Sequence, residues 1–302
     1  MICFNIADKI FEIKNEYTII EEDKLASYYS PFLPDYKCNS DYIDYRITVK
    51  HSDYKEFKSE GEFITKNFDY RIYKNEKGYV IEYYQKHFIR DEVFCVCQLF
   101  IPFDWSELTF IDYADEEERI AFPENFKPIF SCMTVYITGV LLIYNTFTLH
   151  SAALQYNGKG LCFTGSSGVG KTTHTNFWVN KFGAEIINGD SPFIKIIDTK
   201  PYIYGSPWCG GSGITKNRNV PLDAVIVIKQ SSENRIRKLS KFEAVSLIFG
   251  QIRRPMWDEK AIDKCLTYAE MLADTISVYE LECLPNAEAA DTALAGIEEL
   301  HG

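Results

Sequence analysis

Polar and apolar residues alternate with period two in Tyr45-Arg46-Ile47-Thr48-Val49-Lys50 and again in Tyr79-Val80-Ile81-Glu82-Tyr83-Tyr84, the pattern of strands with one buried face. Residues 68–73 and 94–101 read as further strands, with Asn75-Glu76-Lys77-Gly78 as a hairpin turn. The first 120 or so residues, dense in Tyr, Phe and Ile, are thus a mainly antiparallel β region. After them the pattern changes. Pro123-Glu124-Asn125 opens a helix expected to reach about Phe147. Residues 130–149 approach the length of a membrane span. Ser131, Thr134, Thr138, Asn145, Thr146 and Thr148 favour instead a helix buried beneath a sheet. Strands are predicted at 148–156, 161–164 and 184–187, then a pair at 193–197 and 202–204. Ala224-Val225-Ile226-Val227-Ile228 is continuously apolar, as a strand buried on both faces should be. Helices are expected at 173–182, 241–253, 258–274 and 286–300, with a strand at 276–282. The predicted class is α/β (α+β overall), with a β-rich region over 1–120 and an α/β domain over 121–302.

Bulk composition narrows the field. Of the 302 residues, 25% are charged and 46% apolar, the balance of a globular chain. A net charge of −11 without a basic stripe argues against nucleic acid as a partner. Nine cysteines show no C-x-x-C or Cys/His ladder, so zinc is not expected. Cys95 and Cys97 share a strand face as buried or half-buried thiols, and without a recognisable secretory signal the expected compartment is the reducing cytoplasm.

The chemistry concentrates at Gly165-Ser166-Ser167-Gly168-Val169-Gly170-Lys171-Thr172-Thr173, a G-x-x-x-x-G-K-[ST] phosphate-binding loop between a short apolar strand and a helix. Glycines let the backbone turn its N–H groups inward, and the helix N-terminus adds unpaired donors and a positive dipole end. Lys171 is expected to reach the β/γ-phosphates, and the Thr172 hydroxyl to sit on Mg²⁺. Phosphoryl transfer also needs an acid for the metal, a proton acceptor and cations. Asp190, after the strand at 184–187, is the candidate acid; the competing reading is a turn aspartate before Pro192. His150, fifteen residues before Gly165, is a candidate catalytic histidine or a structural one. Residues 204–213 hold four glycines, marking a loop that approaches something closely. Lys216, Arg218, Arg253 and Arg254 are the candidate cations for screening phosphate, or else solvated surface charge.

In the order His150-Ser151-Ala152, phosphate loop, helix, then Ile186-Ile187-Asn188-Gly189-Asp190, the chain resembles HPr kinase/phosphorylase and its relatives. The loop itself is similar to that of ATP-dependent phosphoenolpyruvate carboxykinase, whose nucleotide-binding fold those kinases share. The resemblance spans about residues 148–285. It implies a mixed β-sheet P-loop core with flanking helices, ATP and Mg²⁺ as cofactors, and Thr172 and Asp190 as metal ligands. It also implies His150 and Asp190 as catalytic residues, and phosphorylation of a serine, threonine or small-molecule hydroxyl. One departure stands out: these families carry two adjacent aspartates, whereas this chain has Gly189-Asp190. The alternative is therefore a nucleotide-binding regulatory or assembly module with little turnover. A GTPase is disfavoured because no Asn-Lys-x-Asp motif is present. The expected partners are a peptide, protein or metabolite acceptor and neither nucleic acid nor membrane; the aromatic N-terminal region is free to bind a peptide, form a homo-oligomer or cap the core.

Overall fold

The computed structural model describes residues 2–16, 26–27, 29–34, 42–52, 61–66, 70–86, 93–113 and 127–299. Two compact units divide at Val140/Leu141. The predicted boundary near residue 120, the helix start at Pro123 and the first residues of the strand at 68–73 lie outside the described residues.

The first unit is an eight-stranded sheet in the order β1-β2-β3-β8-β7-β6-β5-β4. Its members are β1 (Ile2–Ile6), β2 (Lys9–Asn15), β3 (Tyr45–His51), β4 (Glu62–Lys66), β5 (Tyr70–Lys74), β6 (Gly78–Lys86), β7 (Val93–Pro102) and β8 (Glu107–Asp112). The hairpin at 75–78 forms as expected, with Asn75 Oδ1 accepting from the N–H groups of Lys77 and Gly78 at 2.9 Å. The sheet is mixed, because β3 runs parallel to both of its neighbours, β2 and β8.

Helix α1 (Lys127–Ile143) is shorter than expected: Asn145 adopts positive φ and Thr146 already begins a strand. Leu142 near its end joins the core of the second unit, whereas its residues up to Val140 belong to the first. There Tyr136 stacks on Trp105, and Gly139 admits the Trp105 ring where a Cβ would lie 2.1 Å away. Among the described residues, no helix is long and apolar enough to cross a membrane. Cys3 is disulfide-bonded.

Ten strands make the second unit's mixed sheet. They begin with β9 (Thr146–Leu149), β10 (Ser151–Tyr156), β11 (Lys159–Thr164), β12 (Glu185–Asn188), β13 (Phe193–Ile197) and β14 (Lys200–Tyr204). Further along come β15 (Asn219–Gln230), β16 (Arg235–Lys238), β17 (Ile252–Arg253) and β18 (Ser277–Cys283). Eight of them lie on the path β12-β10-β11-β15-β14-β13-β9-β17, with β16 and β18 beside it. Strand β15 organises this sheet. Its beginning pairs with β14, and its apolar remainder lies between parallel β11 and parallel β18. Alternate residues face opposite clusters, which is why the run lacks a polar phase. Val225 and Val227 join Ile248, Cys265 and Leu272 from α3 (Lys241–Gln251) and α4 (Glu259–Thr275). Ala224, Ile226 and Ile228 join Trp178 of α2 (Lys171–Phe182) and Ala289, Ala290 and Ala293 of α5 (Glu288–Glu299). The fold class is α/β, α+β overall, behind a β-rich N-terminal region.

Candidate functional site

At the end of β11 the chain turns through Gly165 (φ 146°), Gly168 (φ 76°) and Gly170 (φ 108°) before entering α2. These angles suit glycine, and a Cβ at Gly165 would also lie 2.9 Å from the Ile228 carbonyl oxygen. No side chain caps α2; its first intrahelical bond runs from His174 N to Gly170 O at 2.9 Å. The first-turn N–H groups therefore lack a side-chain acceptor, the condition that favours an anion. The Lys171 ammonium folds back onto Gly165 O at 3.3 Å and Ser166 O at 3.5 Å. Burial lowers its pKa, opposed by the Asp190 carboxylate.

His174 points the other way, into the protein. It lies against Phe163 at 4.8 Å, and its Nε2 accepts from Trp178 Nε1 at 3.1 Å. Burial depresses its pKa to about 4, so it is a neutral packing residue that locks the helix to the sheet.

His150, expected within one strand over 148–156, instead forms the bend between β9 and β10, where the chain steps from one set of partners to another. Three main-chain ties fix that bend. His150 N donates to Gln251 O at 2.9 Å, the Thr164 hydroxyl donates to His150 O at 2.7 Å, and Ser151 N donates to Asp190 O at 2.9 Å. The last tie sets Asp190 beside His150, with Nε2 3.6 Å from Oδ1. Asp190 Oδ2 accepts from the Ser191 hydroxyl at 2.6 Å and faces Arg253 Nη2 at 3.1 Å. His150, then Ser191 and Arg253, outweigh partial burial and hold the carboxyl at a pKa of about 2.

The four candidate cations separate. Arg253 reaches Asp190 from β17. Arg254 instead caps the end of α3, donating to Phe249 O at 2.6 Å and Ile252 O at 2.8 Å with its guanidinium 3.9 Å over the Phe249 ring. Lys216 and Arg218 both pair with Glu185, and Arg218 also donates to Gln155 at 2.7 Å. Those last two lie along the β10–β12 edge and do not line the cavity at the phosphate loop.

That cavity has a volume of about 410 Å³, and Lys171, Thr172, His150, Asp190 and Ser212 are on its walls. A second cavity of about 390 Å³ shares Gly168, Gly170 and Thr173 with it. Phe177, Gln230, Leu284 and Pro285 supply a more apolar lining there, beyond the C-terminal ends of parallel β15 and β18.

Beneath the first cavity lies a polar knot that sequence reading missed. Asn188, wholly buried, accepts from Asp190 N at 3.0 Å and Ser191 N at 2.7 Å, and its amide donates to Ser206 O at 2.9 Å. The Thr215 hydroxyl donates to the same carbonyl at 2.5 Å, and the Ser206 hydroxyl donates to Ser191 O at 2.6 Å. An asparagine two residues before Asp190 was the available signal, since Asn side chains bond the backbone two residues on.

The knot draws the glycine-rich loop onto Gly189-Asp190. A Cβ at Gly189 would lie 1.8 Å from Ser212 Oγ, and one at Gly210 would lie 2.8 Å from Asp190 Cβ. A side chain at position 189 would thus displace Ser212.

No protein-family model matches this sequence, and no curated protein matches it. Among solved structures it is similar to the HPr(Ser) kinase/phosphatase from Coxiella burnetii, at 12% identity and a TM-score of 0.32. That match covers 51% of this chain and 99% of the other. So distant a likeness assigns no activity, and the functional reading has to come from the site itself.

Proposed function

We propose that this chain is an ATP-dependent phosphotransferase that moves the γ-phosphoryl group to the hydroxyl of a peptide, protein or small molecule. One observation carries the reading. The phosphate loop after β11, His150 at the β9–β10 bend and Asp190 after β12 line a single cavity. Within it the glycine-shaped loop and the uncapped start of α2 bind the polyphosphate through backbone N–H groups. Lys171 leaves the carbonyls of Gly165 and Ser166 to reach the same charge. The adjoining cavity between Phe177 and Leu284-Pro285 receives the nucleoside, at the strand ends where open α/β sheets bind ligands.

The donor set suits Mg²⁺. The Thr172 hydroxyl and the Asp190 carboxylate are hard oxygen donors, and this ion typically takes one or two carboxylates alongside substrate phosphates. When bound there, Mg²⁺ would neutralise charge on the phosphates. Asp190, ionised at neutral pH, orients the acceptor hydroxyl and pairs with His150, while Arg253 holds the carboxylate in place.

A second reading, a nucleotide-binding module with little turnover, draws on the lone carboxylate and its existing partners. Incubation with γ-labelled ATP and a cell lysate separates the two. Transfer of label to an acceptor, lost in Lys171→Ala and in Asp190→Asn, supports the phosphotransferase. Tight nucleotide binding without transfer to any acceptor or to water supports the module. An absence of nucleotide binding would sink both.

A further inference from the structure

We infer that Ser212 is itself a phosphoryl acceptor, modified within the same chain by the site it borders. The inference rests on the phosphotransferase reading and adds to it a substrate hydroxyl named by position. Four hydroxyl residues line the cavity of about 410 Å³: Ser167, Thr172, Thr173 and Ser212. The first three belong to the loop and helix start that hold the phosphates. Ser212 comes from a separate element, the short 3-10 turn Gly210–Ser212.

Its placement is fixed from below. The Asn188–Ser206–Thr215 knot ties both ends of the glycine-rich loop to the end of β12, and Gly189 N donates to Ile214 O at 3.1 Å. Ser212 Oγ therefore rests directly on Gly189, one residue from the Asp190 carboxylate and in the space a side chain at 189 would fill. The hydroxyl now donates to Cys209 O at 2.6 Å and accepts from Ile214 N at 3.2 Å. Rotation about one side-chain torsion frees it toward the cavity, and Gly211 and Gly213 flank it without side chains to obstruct the approach.

The step balances with a nucleoside triphosphate as co-substrate. Ser212 Oγ forms a bond to the γ-phosphorus, and the bond from that phosphorus to the β,γ-bridging oxygen breaks. The nucleoside diphosphate leaves with the electron pair, and the hydroxyl proton passes to the Asp190–His150 pair and on to water. Arg253, already on Asp190, and Lys171 supply positive charge near the new phosphoserine.

The test uses the full chain with Mg²⁺ and γ-labelled ATP, read by intact mass and by mapping of the labelled peptide. The expected result is one phosphoryl group on Ser212, gained at a fractional rate independent of protein concentration. Ser212→Ala should lower the label at least about tenfold, and Ser212→Thr should return it as phosphothreonine. Label on another residue, or none while ATP is bound and its phosphate reaches other acceptors, overturns this inference and leaves the phosphotransferase standing. A wild-type chain that binds no nucleotide overturns both.

Discussion

Replacing Gly189 by alanine tests whether the glycine-rich loop leaves no room for a side chain at this position. Gly189 is outside the positive-φ region, so backbone strain does not enter. The new methyl would instead meet Ser212 Oγ at 1.8 Å, Ser212 Cβ at 2.6 Å and Cys209 O at 3.1 Å. Such overpacking costs about 1–3 kcal/mol because the loop must shift. Ser212→Gly removes the two closest atoms. It loses the bonds with Cys209 O and Ile214 N, at about 0.5–1.5 kcal/mol each. In the double variant only Cys209 O at 3.1 Å stays close, so its stability should match Ser212→Gly alone to within about 0.5 kcal/mol. The coupling energy is then about 1–3 kcal/mol, the whole cost of the clash. Urea unfolding with an unchanged slope measures each corner of the cycle. Gly211→Ala is the control, since a methyl there would meet no atom within 4 Å, and it should change little. Additive effects of Gly189→Ala and Ser212→Gly would refute the steric account.

Three further outcomes are expected. Lys171→Ala should weaken ATP binding at least about tenfold in calorimetric titration, since the phosphates lose their only loop ammonium; unchanged affinity would remove the loop from the site. Asn188→Ala should cost about 2–5 kcal/mol in denaturant unfolding, because it strips the acceptor from two main-chain N–H groups and the donor from Ser206 O. A loss below about 1 kcal/mol would mean the knot is dispensable. Glu280 is buried, which by itself raises its pKa, yet Lys229 and Arg237 outweigh that and lower it from 4.5. Its stabilisation is therefore complete above the unfolded value and fades as pH falls through the lower folded one. Glu280→Gln should flatten the acid limb of the stability profile below about pH 4.5, and a limb parallel to wild type would contradict the pairing.

The local code was legible wherever the chain's own periodicity or turn chemistry decides the outcome. The alternations at 45–50 and 79–84, the hairpin at 75–78 and the apolar run 224–228 all became strands or turns as spelled. The phosphate loop folded between a strand and a helix because its glycines permit the positive φ angles it needs. Less was visible where one element meets another. Residues 148–156 look like one strand, but His150 is a bend because β9 and β10 pair with different neighbours. Arg254 and Arg253 are adjacent and chemically alike, yet one caps α3 and the other reaches Asp190.

By itself, then, the sequence determined the elements, the phosphate loop and the types of residue offered to a phosphate, since these follow from neighbours a few positions apart. Only the tertiary structure decided that Lys171, His150 and Asp190 share a cavity, that Lys216 and Arg218 turn to Glu185, and that Ser212 fills the space beside Gly189. Those outcomes depend on strand order and on a buried asparagine knot joining residues up to 27 positions apart, which no local pattern encodes.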